Sequence, residues 1–188
     1  MIKTYWRYTN YSNAPEEETP WELRYSEKTG YAAFARRRFK KGECIVVERP
    51  IVSVRGHHPF TEHQREEIAE NVGKLDATDR EAFFSMSNVF IEAVGGEEEG
   101  IFMTNSFDMV DSPQGPSCGM YLAIGRLNHS CCPNAQQTHI PDTGEEVLYA
   151  SRDIESGDEI NDCYIELRNS KSDRAADHPL HRQPAWSR

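Results

Sequence analysis

No stretch of this sequence approaches the roughly 20 apolar residues that a membrane-spanning helix needs, and hydrophobic residues make up only 37% of its 188 positions. The first residues, as far as Tyr11, are polar and aromatic and lack the apolar centre of a secretory signal. Positive charge is in deficit as well: 21 Lys and Arg stand against 31 Asp and Glu, a formal net charge of −10. An acidic body repels a phosphate backbone, so neither direct nucleic-acid binding nor a membrane partner is expected. It attracts basic segments instead, although solubility is the commoner meaning of such a balance. Cysteine is sparse, with five residues and no C-x-x-C pair, and adjacent Cys131 and Cys132 are poorly placed to share one ion. An odd count without a secretory signal points to free thiols in a nuclear or cytoplasmic setting. No metal site is expected from these cysteines or from His57, His58 and His63.

What is present fits one domain with a sizeable core. Residues 1–20 read as a flexible arm that ends in an acidic, proline-flanked stretch, residues 21–168 as the domain, and residues 169–188 as a polar tail. From Trp21 the chain is strand-like: Trp21, Leu23 and Tyr25 alternate with polar neighbours before a Thr29-Gly30 turn. Strand-like runs follow at 34–39 and 44–54, with Pro50 making the second either two short strands or one strand with a bend. A helical insertion over about 59–100 comes next. One helix spans 61–72, and a second opens on a Thr78-Asp79-Arg80-Glu81 capping box and runs through Phe90. Residues 95–100 read as a solvated loop, 101–109 as a short helix or irregular segment, and 111–116 as turns. Strands are expected again over 146–150 and 160–167. The pattern is α+β and rich in β, with strands at both ends.

Three segments carry chemistry. The first is Gly30-Tyr31-Ala32-Ala33-Phe34-Ala35, with Lys40-Lys41-Gly42-Glu43 and Glu48-Arg49-Pro50 behind it. The second is Asn128-His129-Ser130-Cys131-Cys132-Pro133-Asn134. The third runs from Ile154 through Gly157-Asp158-Glu159-Ile160 to Cys163-Tyr164-Ile165-Glu166-Leu167. In order and approximate spacing they resemble the SET-domain family of protein-lysine methyltransferases. The complete N-H-S-C-x-P-N heptad is the most specific match. Thr104-Asn105-Ser106-Phe107 and the Tyr-Ile-Glu-Leu segment further resemble the SET-and-MYND branch. The cysteine-rich MYND zinc finger of that branch is not in this sequence.

The resemblance implies a SET β-fold of small sheets, with a helical insertion and a knotted segment that brings Tyr164 close to Asn128 and His129. It implies S-adenosylmethionine as methyl donor and, as substrate, a protein or peptide with a basic, Lys-containing segment. Tyr164 would be catalytic, while Gly30, Ala32, Ala33, Phe34, Asn105, Asn128 and His129 would bind the cofactor. The residue types suit the reaction. Transfer to an amine is an in-line displacement that needs a neutral, aligned lysine nitrogen, and a tyrosine offers an apolar wall and a hydroxyl to orient it. Ala32 stands where the family pattern has its second glycine, Asp158 where it has a glutamate, and Asp162 where relatives carry an aromatic or small residue. A C-terminal wall for the lysine channel is not evident, and Trp186 reads as a tail tryptophan rather than a lid. The alternative is a SET-like cofactor-binding or scaffold module without turnover. Cys131 and Cys163 are expected to be buried.

Overall fold

The computed structural model describes residues 7–13, 18–26, 30–93, 95–109 and 115–164, and every structural statement concerns these. Thr29, residues 111–114, the expected strand end at 165–167, the tail and Trp186 lie outside them. In chain order the strands are β1 (Trp21–Ser26), β2 (Gly30–Ala35), β3 (Cys44–Glu48), β4 (Val52–Arg55), β5 (Ser106–Met109), β6 (Ser117–Met120), β7 (Asn128–His129), β8 (Ala135–Ile140), β9 (Glu145–Ala150) and β10 (Glu159–Asp162). The helices α1 (Glu62–Gly73), α2 (Ala77–Phe84) and α3 (Gly96–Asn105) all fall between β4 and β5. The strands form three small sheets, in the orders β1-β2-β10-β7, β3-β9-β8 and β4-β6-β5. Pro50 divides β3 from β4, so the run is two short strands.

The described residues fall into two compact units. The first comprises residues 46–125 and 138–147 with the segment 7–13. That segment, read above as part of an arm, is tied down: the Asn10 N–H donates to the Val47 carbonyl at 2.9 Å and the Arg49 N–H to Tyr8 at 2.9 Å. Helix α1 opens on a capping box in which Thr61 and Gln64 exchange hydrogen bonds, and it buries Ile68 and Val72 on one face. The capping residue of α2 is Asp76, whose carboxylate accepts from the Asp79 N–H at 2.9 Å, so the box expected at Thr78 is displaced. An acceptor placed just ahead of Thr78 satisfies the orphan donors first.

The glutamate-rich stretch read as a solvated loop is the first turn of α3. Glu97, Glu98 and Glu99 sit at its positive end, which favours them. Glu99 is buried, accepting from the Gly95 N–H at 2.5 Å and pairing with Arg65 at 3.0 Å. Gly100 is required by packing, because a Cβ there would lie 2.7 Å from the Phe90 carbonyl oxygen. Glu48 is fully buried, and its carboxylate accepts from the Ala123 and Ile124 N–H groups at 2.8 and 2.9 Å. Burial pushes its pKa up to about 7 although those donors pull the other way.

The second unit comprises residues 18–45, 126–137 and 148–164. Strands β1 and β2 pair antiparallel without a break from Trp21↔Ala35 to Ser26↔Gly30. Trp21, Ala33, Ala35, Phe39, Leu148, Ile154 and Ile160 form its buried core. Along β1 burial fades from Trp21, which is buried, through the half-buried Leu23 to the exposed Tyr25, so the expected alternation holds only at its start. Two turns of the family pattern use one device. In Lys40-Lys41-Gly42-Glu43 the glutamate accepts from the Lys40 N–H at 3.0 Å, with Gly42 at φ +84°. In Glu155-Ser156-Gly157-Asp158 the aspartate accepts from the Glu155 N–H at 3.0 Å, with Gly157 at φ +93°. Asp158 therefore does what a glutamate does at the other turn.

Candidate functional site

The heptad folds as it does because its polar side chains satisfy main-chain groups close by. Strand β7 is only Asn128–His129, and it pairs parallel with β10 through Asn161↔Asn128 and Asp162↔His129. Beyond it, the Ser130 N–H donates to the Asp162 carbonyl at 2.8 Å, and Ser130 Oγ accepts from the Cys132 N–H at 3.1 Å. Asn134 reaches back to β10, its Nδ2 donating to the Glu159 carbonyl and its Oδ1 accepting from the Asn161 N–H, both at 2.8 Å. Asn134 is 6% exposed, so these bonds are shielded from water. Asn128 donates from Nδ2 to the Glu159 carboxylate at 2.7 Å.

Tyr164 follows β10 directly. Its main-chain N–H donates to His129 Nδ1 at 3.1 Å, which requires Nδ1 to be unprotonated, and the rings meet at 5.5 Å between centroids. Its hydroxyl donates to the Leu127 carbonyl. The residue is 38% exposed, yet its hydroxyl end is turned inward. Burial of that end, reinforced by the carboxylates of Asp162 and Glu159, raises the phenol above its ordinary value and keeps it protonated. Asp162 is buried, and desolvation pushes its carboxyl up to about 6 while the Cys163 N–H pulls it down.

On the other side of β10 lies β2, with Ile160 opposite Ala33 and Glu159 opposite Phe34. Gly30 begins β2 at φ +72°, a conformation costly for any other L-residue. Ala32 is buried in the unbroken register opposite Arg24, so a Cβ is accommodated in the extended strand. Strand β7 is the end strand of its sheet among the described residues, which leaves its outer main-chain edge outside the ladder.

Of the residues singled out in the sequence, Gly30, Ala32, Ala33, Phe34, Asn128, His129 and Tyr164 all belong to this one unit. Asn105 belongs to the other, where its buried Nδ2 donates to the Ser87 and Ile101 carbonyls at 2.8 and 2.7 Å. Cys131 is exposed, not buried, because it sits at the protruding turn after β7, with Sγ 3.4 Å from His129 Nε2. Cys163 is half-buried. Sequence reading assigned no role to Glu159 or Asn134. The signal was there, since one follows Gly157-Asp158 and the other closes the heptad. No described helix is long and apolar enough to cross a membrane.

Comparison with known proteins identifies the family. The SET domain family model matches residues 30–165. The chain belongs to that family. It is 30% identical over 145 residues to the histone-lysine N-methyltransferase set5 of Schizosaccharomyces pombe, covering 77% of this chain and 42% of that protein. It is 31% identical over 117 residues to the human histone-lysine N-methyltransferase SMYD3, covering 61% of this chain and 23% of that protein. The chain thus spans less than half the length of either relative.

Proposed function

We propose that this chain transfers a methyl group from S-adenosylmethionine to lysine side chains of proteins. The observation that carries the reading is the convergence of Tyr164 on the Asn128-His129 strip in a member of the SET family, with its phenol on the Leu127 carbonyl and its own main-chain N–H on His129. The cofactor fits the groups present. Strand β7, the end strand of its sheet among the described residues, suits the hydrogen-bonding edge of a heterocycle. The left-handed Gly30 lets β2 begin close to a ligand, and the carboxylates of Glu159 and Asp162 favour a cationic one. When bound, the cofactor supplies an electrophilic methyl on a sulfonium.

This chain's own part is to hold Gly30 to Phe34 and the Asn128-His129 edge as the binding surface, and to present Tyr164 to the incoming amine. The lysine must arrive neutral, because a protonated amine has no lone pair. With the cofactor held by Gly30 to Phe34 and the Asn128-His129 strand, the lysine nitrogen would receive the methyl, and the amine proton would pass to solvent. The protonated phenol of Tyr164 orients the nitrogen without competing as a base. The substrate class follows from charge: a net −10 attracts basic, Lys-containing segments. Both relatives are named as histone-lysine methyltransferases, and histone lysines belong to that class.

The test combines thermal shift with S-adenosylmethionine and transfer of a labelled methyl to lysines of a protein lysate. A raised melting temperature and labelled lysine are expected, with labelling that rises with pH as the neutral amine grows. An unchanged melting temperature at saturating cofactor refutes the binding site. A clear shift without any labelled lysine refutes turnover and leaves a cofactor-binding scaffold.

A further inference from the structure

Residues 57, 108 and 118 were not expected to act together, yet in the β4-β6-β5 sheet three adjacent strands bring them to one point. Cys118 of β6 lies opposite both Val54 of β4 and Asp108 of β5. Two residues past β4, after a turn at Gly56 with φ +96°, the chain presents His57. His57 Nδ1 lies 3.1 Å from Asp108 Oδ1, and Cys118 Sγ lies 3.4 Å from that same oxygen. All three donor atoms are within 4.8 Å of one another. A tetrahedral zinc ion with ordinary bond lengths separates a nitrogen and an oxygen ligand by about 3.4 Å, and a sulfur and an oxygen ligand by about 3.6 Å. The two separations to Asp108 are therefore close to those of ligands around a small ion.

We propose that His57, Asp108 and Cys118 form a zinc-binding site, with water in the fourth position. One imidazole nitrogen, one carboxylate and one sulfur select a borderline-soft ion over magnesium or calcium, which take oxygen alone. Without an ion, His57 pairs with Asp108 and the Cys118 thiol is shared between the Gly56 carbonyl at 3.3 Å and the Asp108 carboxylate at 3.4 Å; the site adds that all three side chains converge on one point. Access is open, since the His57 and Asp108 side chains are 47% and 65% exposed. Binding exchanges the Cys118 S–H bond for an S–Zn bond and releases the proton to solvent. Burial pushes that thiol up to about 12 in the metal-free protein, while the His58 N–H favours the thiolate. The ion's charge overcomes the first, and the second remains as support for the bound sulfur.

The experiment uses the whole chain, stripped with chelator and titrated with Co²⁺ and Zn²⁺. Co²⁺ is expected to give a thiolate-to-metal charge-transfer band that Zn²⁺ bleaches and that Cys118→Ser abolishes. Asp108→Asn and His57→Ala, at exposed positions that leave the core intact, are expected to weaken Zn²⁺ binding at least ~10-fold per lost ligand. A Cys131→Ser/Cys132→Ser variant is expected to keep the band, which separates this site from the exposed thiols beside His129. Absence of the band in the parent protein, or full Zn²⁺ affinity in both Asp108→Asn and His57→Ala, would overturn the site and leave a hydrogen-bonded triad.

Discussion

Asn134 acts as a piece of main chain made from a side chain. One face of its amide donates to the Glu159 carbonyl and the other accepts from the Asn161 N–H, both at 2.8 Å. It therefore closes on β10 where a neighbouring strand would otherwise run. Asn134→Ala leaves one donor and one acceptor in a place that is 6% exposed. An unsatisfied buried group costs about 1–3 kcal/mol, so the pair costs about 2–6 kcal/mol, at the lower end if water enters. Asn134→Asp separates the two bonds. Its carboxylate still accepts from Asn161 but sets a second oxygen against the Glu159 carbonyl. A protonated carboxyl can donate there instead, so the folded-state pKa of that aspartate is raised. Its stability contribution is then present at acid pH and lost as pH rises through that value. Urea unfolding at pH 7.5 and at pH 5 reads both effects. The alanine variant should lose about 2–6 kcal/mol at both pH values, and the aspartate variant should recover part of its loss at pH 5. An alanine variant within about 0.5 kcal/mol of the parent, inside the range of neutral surface changes, would refute the account of how β10 is held.

Two further outcomes follow from buried groups. Glu48 has a folded pKa raised from 4.5 to about 7. It contributes stability that is fully present below 4.5 and lost as pH climbs through 7, about 3 kcal/mol in all. Melting of the parent against Glu48→Gln between pH 4.5 and 8 should therefore converge or cross as pH rises, and parallel curves would contradict it. Gly30→Ala should cost about 1–2 kcal/mol, because an L-residue must adopt φ +72° there, and thermal melting checks it.

The legibility of this molecule in its sequence tracks how local the determining contacts are. The heptad could be read because Ser130 satisfies a main-chain group within the motif, and Asn134 two main-chain groups of its immediate partner strand. The division of β3 from β4 could be read because Pro50 removes a donor. By contrast, α3 was hidden in a glutamate run: Glu99 looks solvated until Arg65 and the Gly95 N–H are placed around it. The start of α2 went to Asp76 because a cap is a competition between neighbouring acceptors, and Thr78 stood second in line. Ala32 looked like a missing glycine, and only the register opposite Arg24 shows that the strand has room for a methyl. The meeting of His57, Asp108 and Cys118 follows from sheet order, and no spacing rule in one dimension encodes that.

The short parallel pairing of β7 with β10 fixes when the site can exist. Asn128 and His129 have no ladder partner until Asn161 and Asp162 arrive. Parallel pairing across such a separation must first meet a loop-closure cost. On a ribosome, which extends the chain at about 5–20 residues per second, the heptad emerges seconds before the strand that gives it shape. During that interval His129 has neither Tyr164 to hold nor a strand to lie against, and Asn134 has no β10 to grip. The Tyr164 end of the chain is therefore the gate on assembly. A truncation upstream of Glu159 would remove Tyr164 and also leave Asn128, Asn134 and the Ser130 N–H without their partners on β10.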